Sequence, residues 1–157
     1  MNAAFIVPFA TALMDAMCDE DVARNANLLA LVYDESEDDA PRITPERPEL
    51  DPDRGPVAFV VVDIPFGGRA AYVHGEDGDA VAHWSRFQVS AWAPGKLSSM
   101  QVMDAVIQAI DGRDIVVSDD WGTVRCFAVS DPWAMVDEIA ETRMYGAGIR
   151  YEVLLVG

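Results

Sequence analysis

Basic residues are scarce in this chain: 11 Lys and Arg stand against 27 Asp and Glu in 157 residues, for a formal charge of −16. Coating DNA or RNA takes clustered cations to neutralise phosphates, so the composition argues against direct nucleic-acid binding. The same acidity suits a surface past which DNA slides, because like charge suppresses adhesion. Histidine is scarcer still. His74 and His83 lack HxH or HxxxH spacing and read as loop and strand-edge residues, not metal ligands. Cys18 and Cys126 each sit among apolar neighbours, which reads as two buried thiols in a reducing compartment. No apolar run approaches the roughly 20 residues of a membrane span, and Met1 to Met17 lacks the charged start of a secretion signal. The expectation is a soluble protein made in cytoplasm.

Catalytic patterns are missing too. Ser85, Ser90 and Ser130 occur without a GxSxG elbow, and neither cysteine has a cationic setting that would yield a thiolate. Gly67-Gly68-Arg69 is not followed by Lys-Ser or Lys-Thr, so it reads as a turn and not a phosphate loop. Asp119 and Asp120, and the group Glu76, Asp77 and Asp79, lack the ligand spacing of a calcium loop and suit turns without any ion. No catalytic, cofactor-binding or metal residue is assigned. The expectation is a structural or interaction protein, not an enzyme.

What is present is a core's worth of apolar sequence, 51% of residues, in a length that suits one domain over 1–157. Phe9, Leu13, Met14 and Met17 recur at helical spacing after Pro8, which predicts a helix from Pro8 to about Cys18. Asp19, Glu20 and Asp21 suit the start of a second short helix, and Leu28 to Tyr33 reads as either strand or helix. Asp34 to Arg54 differs in kind: nine acidic residues and Pro41, Pro45, Pro48 and Pro52 fall there, with almost nothing to bury. This acidic, proline-rich stretch, 34–56, is read as a solvated linker within the domain or as an arm that orders against a neighbouring subunit. Its candidate contact residues are Asp34, Glu35, Asp38, Asp39, Arg42 and Arg47.

Val57 to Ile64 is a nearly continuous β-branched run, the signature of a strand buried on both faces. Phe66 to Asp79 reads as a Gly-rich loop or loose hairpin. Trp84 to Trp92 alternates, with Phe87, Val89 and Ala91 on one side and Arg86, Gln88 and Ser90 on the other. Ser98 to Asp111 is predicted as a helix with a Ser98–Gln101 capping box and a Gly112 stop, presenting a stripe of Val102, Met103, Val106, Ile107 and Ile110. Ile115 to Val117, Thr123 to Val129 and Ile149 to Val156 are further strands. Trp133 to Gly148 reads as a long connection, either a loop contacting another chain through Trp133, Met135, Val136, Met144 and Tyr145, or a short helix from Pro132 to Glu141. The fold class is α/β in the broad sense (α+β): a mostly antiparallel sheet of about four strands with helices on one face.

Four stretches of this sequence resemble the tail-completion, or tail-terminator, proteins of long-tailed bacteriophages and phage-like particles. They are Val32-Tyr33-Asp34 leading to Asp39-Ala40-Pro41; VAFVVVDI; HWSRFQVSAWAP running into SSMQVMDAVIQAID; and RCFAVSDPW followed by GIRYEVLLV. The middle stretch carries most of the likeness, with Met103-Asp104-Ala105-Val106 in place of the family's Met-Asp-Ala-Ile-like helix core. The proline-rich insertion from Arg42 to Pro56 and the extended N-terminus depart from the family's compact form.

The resemblance implies a virion subunit that closes into a ring, usually hexameric, on the head-proximal end of the tail tube. Such a ring stops tube polymerisation and offers a surface to the head connector. Its implied partners are further copies of itself, the tube protein and the connector or neck proteins; DNA passes through its lumen without specific binding, and no membrane is involved. A head-to-tail ring needs two different patches on each subunit, for which the arm and the Trp133–Tyr145 connection are the candidates. A neck protein joining head to tail, and a small acidic protein-binding module unrelated to phage, are the alternative readings.

Overall fold

The computed structural model describes residues 6–64, 73–74, 80–82, 84–119, 121–139 and 141–156. The readings made on His83, Asp120 and most of the Phe66–Asp79 loop lie outside these residues. Among the described residues there are three α-helices, α1 (Ile6–Cys18), α2 (Ala26–Val32) and α3 (Lys96–Ile110). The strands are β1 (Ile43–Thr44), β2 (Phe59–Asp63), β3 (Val73–His74), β4 (Ala80–Ala82), β5 (Trp84–Ala93), β6 (Asp114–Ser118), β7 (Gly122–Ala128), β8 (Trp133–Ile139) and β9 (Thr142–Val156). The α+β class is the expected one. The sheet is larger than expected, with seven strands in the order β1-β2-β5-β9-β7-β6 and β8 also paired to β9, while β3 and β4 form a separate pair. All pairings in the large sheet are antiparallel except β1 with β2.

The helices cover one face. Phe9, Leu13 and Met17 of α1 and Leu28 and Val32 of α2 enter the same core as Val102, Met103, Val106 and Ile110 of α3. The sheet answers with Val60, Val62, Phe87, Val89, Ile149, Tyr151 and Val153, every second residue of their strands, as the pleat requires. Phe87 lies between Phe9, edge-on at 5.6 Å, and Tyr151, stacked at 5.3 Å. The undecided run from Leu28 is helical, and the acidic knot precedes this helix instead of starting it: a 3-10 turn at Ala23–Asn25 leads into α2. Buried Asn25 caps the end of α1 by donating to the carbonyls of Ala16 (2.6 Å) and Asp19 (3.0 Å). Arg113 donates to the same Ala16 carbonyl at 3.0 Å, placing a cation at the negative end of the helix.

Two readings of local structure are corrected. The capping box at Ser98 does not form, because α3 starts earlier: Gly95 is its N-cap, without a side-chain cap, and Ser98 lies inside the first turn. Pro94 and Gly95 together make the break, and Gly112 (φ +67°) supplies the expected left-handed stop. The second correction is larger. Trp133 to Gly148 is neither a loop nor a helix but a β-hairpin, in which β8 and β9 pair from Trp133↔Gly148 to Ile139↔Thr142. Burial along β8 alternates residue by residue, the period of a strand and not of a helix.

β9 is therefore 15 residues long. Along one side it pairs with β5; along the other it pairs first with β8 and then with β7. Between Ala128↔Tyr151 and Trp133↔Gly148, residues 129–132 stand opposite only residues 149–150, a bulge of two extra residues that holds Pro132. The Val129 amide donates to the Arg150 carbonyl at 2.9 Å, and the Arg150 amide donates to Ser130 Oγ at 3.0 Å, so the bulge keeps its backbone satisfied.

Candidate functional site

The face of the sheet away from the helices carries a second, smaller core. Phe59 of β2 and Trp92 of β5 stack at 6.4 Å, Met144 of β9 is fully buried beside them, and Leu50, Val61, Met135 and Ile139 pack around the three. Two glycines make room for the indoles. A Cβ on Gly146 would lie 2.9 Å from Trp92 Cε3, and one on Gly148 would lie 2.6 Å from Trp133 Cε2.

The acidic, proline-rich stretch folds onto this core as a strap. It buries more than its composition indicates: Ile43 joins the helix-side core through β1, and Leu50 joins the outer one. Arg47 lies over the Trp92 ring, 5.2 Å from its centre, and forms an ion pair with Asp137 of β8. The two candidate patches thus touch within one subunit, at Arg47 and Asp137. At its root, Arg54 reaches Glu37 (2.9 Å) and Asp38 (2.5 Å), and Arg42 pairs with Asp38 and donates to the Ala58 carbonyl at 2.7 Å.

These contacts set the charge states. Burial works to raise the Asp38 carboxyl, but hydrogen bonds from Arg54 and the Asp34 amide, with the Arg42 charge, hold it below the ordinary carboxylate range. Asp34 is held low mainly by hydrogen bonds from the Ser36 hydroxyl and amide, and Asp137 by the Arg47 guanidinium. Glu35 and Asp39, the remaining strap candidates, are exposed. Beside the root, Glu49, Asp51 and Asp53 join Glu37 and the two arginines around a hollow of about 530 Å³.

On the helix side, the same hairpin forms an apolar cleft with the start of α3. Its volume is about 330 Å³, and its walls include Met100, Pro132, Trp133, Met135, Val136 and Tyr145, with Lys96 at the rim. Tyr145 and Val136, cross-strand partners, share this side of the hairpin, whereas Trp133 and Met135 border the cleft from positions that pack on the outer face, Trp133 over Gly148 and Met135 beside Phe59, Trp92 and Met144. Met144 supports the hairpin from the opposite face. Met100 was not singled out; Met100 is 52% and Val136 56% exposed, far more than apolar side chains of a packed face.

The chemistry elsewhere is quiet. Burial pushes the Cys126 thiol up to about 12 and the half-buried Cys18 thiol up to about 11, away from nucleophile range. Among the described residues, no group of three or more His, Cys, Asp or Glu side chains is placed to hold a metal ion. Among them, too, no helix is long and apolar enough to cross a membrane.

No protein-family model matches this sequence, and no curated protein matches it. Among solved structures, the fold is similar to that of a chain from the "Virion of native gene transfer agent (GTA) particle". The TM-score is 0.65 at 18% sequence identity, and the match covers 99% of this chain and 100% of that one. At that identity the likeness is one of fold, and it runs from end to end.

Proposed function

We propose that this chain is a structural subunit of a phage-like virion, which closes into a ring at the head-proximal end of the tail tube, ends tube polymerisation and presents a surface for joining the head. The observation that carries the reading is the end-to-end fold match to a chain of a gene transfer agent virion. The tail-terminator character of HWSRFQVSAWAP and the helix after it supports the finer assignment. Strand β5 and α3 are those two pieces, joined through Pro94 and Gly95, and they form the centre of the sheet and the helix that covers it.

In this reading the subunit performs no covalent chemistry. Its partners are other copies of itself, the tube protein and the head connector. The charge of −16 lets DNA pass through the lumen with little adhesion. Immunogold labelling of intact particles tests the placement: gold at the junction of head and tail is expected, and gold along the tube or at the distal tip contradicts it.

A further inference from the structure

The apolar cleft between α3 and the hairpin has features that a closed core does not need. Met100 and Val136 leave more than half their surface exposed, and Leu97, one turn before Met100 along α3, is 69% exposed. The cleft is also edged by a cation, Lys96, in a chain that has few; Arg143, outside the lining, stands two residues from Tyr145 along β9 on the same side of the sheet, opposite Glu138 of β8. Neither cation has an ion-pair partner among the described residues.

The complement to such a surface is acidic, and this chain carries one at the other edge of its sheet. Glu49, Asp51 and Asp53 line the hollow beside β1 and β2 and form no ion pair with a described residue. The level along the strands matches. Phe59 of β2 pairs with Trp92 of β5, Trp92 with Gly146 of β9, and Gly146 with Met135 of β8, so both patches lie near the same end of the sheet. In the strand order β1-β2-β5-β9-β8 the hollow stands beside β1 and β2 and the cleft at β8, with the strap crossing the outer face between them to reach Asp137. The two patches are different, complementary and set at opposite edges, as a closed head-to-tail assembly requires.

We propose that the α3–hairpin cleft is one half of the contact between neighbouring copies of this chain, and that it receives the acidic 49–53 part of the neighbour's strap. The apolar walls supply contact area, and Lys96 and Arg143 select the acidic partner and set its register. This assignment rests on the ring reading and names its contact.

Lys96 is the only lysine in the chain, so zero-length carbodiimide coupling, which joins an amine to a carboxylate with loss of water, reports on the cleft rim almost alone. The experiment mixes 14N- and 15N-labelled copies, alone and on tail tubes isolated from particles lacking this chain. Native mass spectrometry reads assembly and peptide mass spectrometry reads the couplings. The expected result is an assembly in which Lys96 of one isotope is joined to Glu49, Asp51 or Asp53 of the other. Lys96→Glu and Met100→Asp, both at exposed positions, should each weaken association at least tenfold with an unchanged circular dichroism spectrum. An assembly whose Lys96 couples elsewhere, or not at all, overturns this contact and leaves the ring standing. A chain that stays monomeric both alone and on tubes overturns the ring and the contact together.

Discussion

Single residues decide the outer face of the sheet, and the decisive ones are glycines. Gly146 sits under Trp92, whose ring is held between Phe59 and the Arg47 guanidinium and is 5% exposed, so the indole has nowhere to retreat. Gly146→Ala should cost about 1–3 kcal/mol, the range for overpacking a filled site, measured as a lower urea midpoint with an unchanged slope. In the sequence these glycines look like interruptions of a strand and delay its start to Ile149. In the structure they are what lets the strand run through, because the partner strands carry Trp92 and Trp133 opposite them. That exchange of volume between residues 15 and 54 positions apart is invisible to periodicity. The same holds for Asn25 and Arg113, polar residues whose task as caps of α1 depends on a contact across the fold.

Elements whose signal is local were legible, and those defined by partners were not. The stripe of α3, the alternation of β5 and the apolar run of β2 appear where their periods place them. The start of α3 does not, since Pro94-Gly95 breaks the chain before Ser98 can act as a cap. Ser98→Ala should therefore change stability by less than about 0.5 kcal/mol, where a true N-cap would cost about 1 kcal/mol. Chemical denaturation separates the two.

The strap is the other element with a testable physics. Its carboxylates Asp34 and Asp38 are held below their unfolded values, so their contribution is present above the unfolded carboxylate value of about 3.9 and is lost as pH falls through the folded one. Arg54→Met should lower thermal stability at pH 7, and the deficit should close as both proteins are acidified below about pH 3. A deficit that persists in acid would mean Arg54 acts by packing and not by charge. From composition the strap looked free of the core; β1 and Leu50, a few apolar residues among many charges, tie it down.

At the scale of the whole molecule, one long strand organises everything. β9 joins the helix-covered sheet to the hairpin, and the two-residue bulge before β8 divides its partner edge between β7 and β8. This arrangement lays the acidic strap across the outer face of the sheet and opens an apolar cleft with Lys96 at its rim on the helix side, and in the proposed ring these become the two sides of each subunit contact. The most direct test of that role is deletion of the gene from the particle that encodes it, followed by negative-stain imaging of the lysate and measurement of tail lengths. Overlong, variable tubes without heads are expected. Tails of normal length lying apart from filled heads would contradict termination and move the chain to the neck, and normal infectious particles would contradict a virion role altogether.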